Sequence, residues 1–124
     1  MTRFPSEMGV IQSPLYLKDI LESITRIEIS FKNVTKELFN KDANLQDATI
    51  RRLEIIGEAV TNIPEEIKSR YSQIEWKKIA GFRIVAVHSY FKVNLDIIWD
   101  IVKEKIQKLK KDIKHILENE NRSS

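Results

Sequence analysis

The chain has 124 residues, one domain's worth, of which 42% are hydrophobic and 31% charged, enough for a packed core and too apolar for a disordered chain. Three Gly and three Pro argue against a turn-rich β-sandwich or barrel, and no 18-residue apolar run offers a membrane span. Cysteine is absent, which removes disulfide scaffolds, thiolate metal sites, thiol nucleophiles and iron–sulfur clusters. With only two histidines, His88 and His115, no multi-histidine metal site is expected within one chain, and no cofactor is assigned. The first residues lack the apolar stretch of a secretory signal, so a cytoplasmic protein is the default expectation. The net charge of +3 names no partner by itself.

Residues 1–13 carry no sustained period and read as a flexible arm. Ser13 followed by Pro14 offers a cap and a first-turn proline. From there Leu17, Ile20, Ile24, Ile27, Phe31, Val34 and Leu38 recur at steps of three and four, which predicts one long amphipathic helix. Asn40-Lys41-Asp42 interrupts it. A second helix runs from about Gln46 to Thr61 with Ala48, Leu53, Ile56 and Val60 inward. Gly57 in its middle costs roughly 1 kcal/mol relative to alanine, a cost that close backbone packing against a neighbouring helix would explain. Pro64 opens a short helical turn, Glu65 to Arg70. A fourth segment, from about Trp76 to Phe91, is almost wholly apolar apart from Arg83 between Ile79 and Val87. Asn94 then caps a last helix with Leu95, Ile98, Val102, Ile106, Leu109, Ile113 and Ile116 on one face. The tail 119–124 is expected to fray. The sum is an all-α fold: four long helices and one short helix in an antiparallel bundle, residues 14–118.

Chemistry concentrates in Gly81-Phe82-Arg83-Ile84-Val85-Ala86-Val87-His88-Ser89-Tyr90-Phe91. A guanidinium in an apolar helix must reach a carboxylate, a phosphate or solvent. One reading pairs Arg83 with a glutamate of the second helix and makes His88 a core or edge histidine. The other is functional. At about 100° per residue, Arg83 and Tyr90 share a face while His88 sits about 140° from Arg83. Either the helix loosens near His88, or a second protomer supplies the other half. A two-fold dimer would gather two arginines and two histidines, a plausible metal-free ribonuclease constellation.

These segments resemble a known family. Gln46 to Ala59 (QDATIRRLEIIGEA) is similar to the second-helix signature of HepT-like proteins of the HEPN superfamily. Trp76-Lys77-Lys78-Ile79-Ala80-Gly81-Phe82-Arg83, followed by His88-Ser89-Tyr90-Phe91, is similar to their catalytic signature, and Asn94-Leu95-Asp96-Ile97-Ile98-Trp99 continues the likeness. It extends from about Tyr16 to Ile113. The resemblance implies a dimeric HEPN-like bundle and a metal-independent ribonuclease toxin of a toxin–antitoxin pair. It implies Arg83 and His88 as the catalytic pair acting on an RNA substrate, a tRNA being one candidate. It also implies Tyr90 as the residue to which a cognate nucleotidyltransferase antitoxin of the MntA type transfers AMP, with a higher assembly of the two proteins open. The family usually has a polar residue, most often asparagine, directly after the arginine, where this chain has Ile84. Isoleucine can neither orient an imidazole four residues on nor bind a phosphate. The alternative reading is therefore a non-catalytic HEPN-fold module that still pairs with a nucleotidyltransferase.

Other features weigh less. Glu54 and Glu58 share a face of the second helix and can support Arg83 or pair with Arg51. Lys103, Lys105, Lys108, Lys110, Lys111 and Lys114 give the last helix a basic side, which reads as a solvated face or as a track for RNA. Trp76 and Trp99 read as core caps, and His115 as a surface histidine.

Overall fold

The computed structural model describes residues 8–84 and 94–122. They form α1 (Met8–Ser30), α2 (Lys36–Lys41), α3 (Ala43–Thr61), α4 (Glu65–Arg70) and α5 (Trp76–Ala80). After residues 85–93 come α6 (Leu95–Asp100), a π-helical turn (Ile101–Lys105) and α7 (Ile106–Arg122), which continue one another. No strand occurs among the described residues. The fold is the all-α bundle that the periodicity predicts.

Two long rods pack on α1, both antiparallel to it. Midway along α1, Tyr16 and Asp19 lie across a groove from Glu58 and Asn62 at the end of α3, whereas the later Glu22, Arg26 and Ile29 face Ala48 and Arg52 near its start. On the other side Lys110, early in α7, donates to Glu28, late in α1, at 2.8 Å. The core between them is aliphatic: Leu17, Ile20, Ile24 and Ile27 of α1, Leu53, Ile56 and Val60 of α3, and Ile98, Val102, Ile106, Leu109, Ile113 and Ile116 of the last rod. Trp76 is buried, its indole N–H donating to the Tyr71 carbonyl at 3.1 Å. Trp99 packs on the rings of Phe31 and Phe39, with centroids 6.0 and 5.9 Å apart. No helix among the described residues is long and apolar enough to cross a membrane.

Four sequence expectations are corrected. First, α1 begins at Met8, not at Pro14. A proline without its N–H leaves the carbonyl four residues earlier without an intrahelical donor, which is why it reads as a helix start. Of the arm expected over residues 1–13, residues 1–7 lie outside the described residues. Second, the long first helix stops at Ser30. Asn33 takes φ 61°, and Thr35 caps α2 by accepting from the Leu38 N–H at 3.1 Å. Asparagine tolerates this left-handed conformation better than most side chains. The break resets the helical phase, so Phe39 is 0% exposed while Leu38, expected inside, is 54% exposed. Third, Ala48 is exposed, with Thr49 and Ile50 buried in its place. Fourth, the C-terminal segment is helical through Arg122. Glu120 is fully buried, takes the Tyr71 hydroxyl hydrogen bond at 2.7 Å, and pairs with Arg70.

Of the remaining boundaries, α3 ends at Thr61 as expected but begins at Ala43 rather than near Gln46, and the fourth helix, expected unbroken from Trp76, is interrupted at Gly81. Asn94 caps α6 by accepting from the Ile97 N–H at 3.2 Å, and α4 spans Glu65–Arg70. The apolar fourth segment starts at Trp76 as predicted and turns at Gly81 before helical residues 82–84. Its continuation through Val85–Phe91 lies outside the described residues.

Candidate functional site

Arg83 stands just beyond α5, where that helix crosses α3. Gly57 makes the crossing possible. A Cβ on Gly57 would lie 2.7 Å from Arg83 Cγ, 2.9 Å from Arg83 N and 3.0 Å from the Ala80 carbonyl oxygen. Ordinary carbon contacts are about 3.5–4.0 Å. The glycine expected to mark a close helix approach thus seats the backbone and stem of the arginine itself.

One residue along α3, Glu58 accepts from Arg83 Nη1 at 3.0 Å. The side chains of this pair are 42% and 61% exposed. The Arg83 Nε is enclosed without an acceptor among the described residues, so the outer nitrogens carry the guanidinium's hydrogen bonding. Glu54, one turn earlier, pairs with Arg51 at 2.5 Å. The two candidate glutamates therefore divide the two arginines, Glu58 with Arg83 and Glu54 with Arg51. Arg51, Glu54 and Glu58 also line a groove of about 350 Å³ with Tyr16 and Asp19 of α1. Sequence reading missed these last two, because Tyr16 sits beside the core position Leu17 and carries no periodic signal of its own.

Ile84, directly after Arg83, is 58% exposed. A large aliphatic side chain in solvent beside a half-exposed arginine makes no polar contribution to the site. The expected catalytic partner His88 and the expected AMP acceptor Tyr90 lie outside the described residues.

Residues 20–116 match the Ribonuclease HepT-like family. The chain belongs to that family. It is 43% identical over 105 residues to a "Putative RNase" of Caldanaerobacter subterraneus, covering 85% of this chain and 94% of that one. It is 43% identical over 95 residues to a "Probable ribonuclease HepT" of Thermococcus cleftensis, covering 77% and 86%. It is also 46% identical over 104 residues to a "Gamma-glutamylcyclotransferase and putative RNase" of Methanocaldococcus jannaschii. There the match takes 84% of this chain but 47% of the relative, so the chain spans about half the length of that protein. No solved structure matches this chain. In this HepT-like chain Arg83, Glu58, Gly57, Glu54 and Arg51 all fall within the matched stretch.

Proposed function

We propose that this chain is a metal-independent endoribonuclease that acts as the toxin of a toxin–antitoxin pair. Membership of a ribonuclease family supports the reaction class. The observation that carries the mechanism is the half-exposed Arg83, held among the described residues by one carboxylate hydrogen bond over Gly57. An ion pair this exposed is worth about 0–1 kcal/mol, so an RNA phosphate can take the guanidinium from Glu58 at small cost. His88 accepts the proton of a ribose 2′-hydroxyl as its oxygen attacks the adjacent phosphorus. The bond to the 5′-oxygen breaks, that oxygen takes a proton from a second imidazole, and a 2′,3′-cyclic phosphate is left. Arg83 stabilises the charge that builds on the phosphorane oxygens. The second imidazole comes from a second copy of the chain, so the active form in this reading is a homodimer.

Control rests on Tyr90. A cognate nucleotidyltransferase of the MntA type lets the Tyr90 oxygen attack the α-phosphorus of ATP; pyrophosphate leaves and the phenol proton goes to solvent. The attached AMP brings one negative charge and nucleoside bulk two residues from His88, both opposed to RNA binding.

Purified protein incubated with RNA in EDTA should leave 2′,3′-cyclic phosphate ends. Arg83→Ala, His88→Ala and the double change should each abolish cleavage to a similar extent, because groups that act as a unit are non-additive. Cleavage that needs added magnesium would refute the mechanism. Incubation with the partner and ATP should add AMP mass to the native chain and none to Tyr90→Phe; equal gains would exclude Tyr90 as acceptor. Ile84, exposed and apolar where asparagine is usual, favours a second reading in which the fold and partner are kept without cleavage. Ile84→Asn raises activity if the departure is a handicap. No cleavage by either form supports the second reading.

A further inference from the structure

The groove between α1 and α3 adjoins the candidate site directly, because Glu58 stands in its wall and accepts from Arg83 Nη1 at 3.0 Å. Its charges are already sorted. Glu54 pairs with Arg51 at 2.5 Å and Glu58 with Arg83, whereas the exposed Asp19 has no ion-pair or hydrogen-bond partner among the described residues. Asn62 spends one amide N–H on the Glu58 carbonyl at 3.1 Å and keeps its other N–H and its oxygen. Ile55, Ala59 and the half-buried Tyr16 supply apolar surface. The unspent polar capacity of the groove is therefore a carboxylate and part of an amide, with Arg51 already bound.

An ionised carboxylate can only accept, through two oxygens side by side. It favours a ligand with two adjacent donors and rejects one that sets a lone pair in either place. Of the four RNA bases, guanine alone has such an edge, N1–H beside the 2-amino group. Adenine and cytosine set one amino group beside an accepting ring nitrogen, and uracil sets N3–H between two carbonyls. The free N–H of Asn62 suits the guanine O6, which follows N1 on the same edge. A volume of about 350 Å³ lies at the small end of the ~300–1,000 Å³ of ligand pockets and suits one base rather than a strand. Unstacked bases of single-stranded RNA are read in this manner, by apolar contact on the ring and hydrogen bonds on the Watson–Crick edge.

We propose that this groove holds a guanine base next to the phosphate on Arg83, and that Asp19 selects it. The proposal rests on the ribonuclease reading for the choice of a nucleotide as the ligand. The test measures binding of nucleoside monophosphates to the full chain by titration calorimetry, which requires no cleavage. Guanosine 3′- and 5′-monophosphates are separate arms and decide on which side of the phosphate the base lies. The tighter of the two should bind at least about tenfold better than the matching adenosine, cytidine and uridine nucleotides, as expected for charge-assisted hydrogen bonds in an open groove. The inosine nucleotide, which lacks the 2-amino group, should fall between. Asp19→Asn should still bind all of them but lose the guanine preference. The ratio among bases is the readout, because loss of a negative charge favours every phosphate alike. Asp100→Asn, which removes the same charge from the last rod, should keep the native ratio. Arg83→Ala should weaken all four nucleotides about equally and leave guanine preferred. Equal binding of the four bases by the native chain, a guanine preference that survives Asp19→Asn, or no binding of any nucleotide overturns the proposal. If the native chain cleaves RNA but binds all four bases alike, the groove fails and the ribonuclease reading stands. If Asp19→Asn loses a guanine preference while the native chain cleaves nothing, the groove stands and the catalytic reading fails.

Discussion

Gly57→Ala adds one methyl group where α3 meets Arg83. Its Cβ would lie 2.7 Å from Arg83 Cγ and 2.9 Å from Arg83 N, so the two segments must separate by roughly 0.5–1 Å to reach an ordinary contact of ~3.5 Å. Two effects compete. Alanine in a helix interior gains about 0.8–1 kcal/mol over glycine, and overpacking costs about 1–3 kcal/mol. The contacts decide between them: one atom is backbone and the other is near the root of its side chain, so neither swings away cheaply. The net expectation is a loss of about 0–2 kcal/mol, read as a fall of up to roughly 10 °C in Tm by circular dichroism. Because the displaced group is the candidate catalytic arginine, cleavage should fall further than stability, by about 10²-fold for a shift near 1 Å.

Gly81→Ala is the control. Gly81 has φ −64°, ordinary helical backbone, and its Cβ would meet carbonyl oxygens of its own helix at 3.1 and 3.4 Å. It should be the milder change and leave Arg83 in place. A Gly57→Ala chain more stable than the native by about 1 kcal/mol, the bare helix gain, would refute the close approach and with it the seating of Arg83.

Three further outcomes follow from the packing. Phe39→Ala should cost about 3–5 kcal/mol in urea unfolding and Leu38→Ala under about 0.5 kcal/mol; the reverse order would restore the unbroken first helix. Glu120→Ala should cost about 1–3 kcal/mol, since it leaves the buried Tyr71 hydroxyl without its carboxylate acceptor while Arg70 keeps Glu66, and removal of residues 119–124 should cost at least as much; little change in either would return the tail to a frayed end. The Lys78 hydrogen bond lowers the Glu75 pKa from 4.5, so its contribution is present above the unfolded value and is lost as pH falls through the lower folded one. Carboxyl resonances of the native chain and of Lys78→Gln should show the Glu75 midpoint moving up in the variant.

The sequence is legible where its periods are long and its caps strong. Leu53, Ile56 and Val60 of α3, the aliphatic stripe of the last rod, the Asn94 cap and the Pro64 start survive in the structure. Phe31, Val34 and Leu38 mislead because their three- and four-residue spacing continues through a turn, and nothing in the spacing reveals that Asn33 has left the helix. Glu120 misleads in another way. A charged residue near a chain end reads as solvated, and its burial depends on Arg70 and Tyr71 some fifty residues away. The site divides along the same line. Gly57 announces a close approach by its cost, and the spacing of Glu54 and Glu58 offers Arg83 a partner without choosing between them. The pairing of Lys110 with Glu28, 82 residues away, is tertiary and has no local signature.

The contrast between two arginines bears on how the site can work. Arg70 shares its guanidinium between Glu66 at 2.8 Å and the fully buried Glu120. Breaking such a buried arrangement costs several kcal/mol because a desolvated charge is left behind. Arg83 meets Glu58 at 3.0 Å with both side chains about half in solvent, so breaking that pair costs about 0–1 kcal/mol. A phosphate offers the guanidinium a charge-assisted contact of the same class as the one it replaces. The stem of Arg83 is fixed by Gly57 while its head is loosely held by Glu58. In the proposed reaction, that division would keep the guanidinium oriented before substrate arrives and releasable when it does. A locked pair such as Arg70–Glu120 holds a fold together and has nothing left to give a substrate.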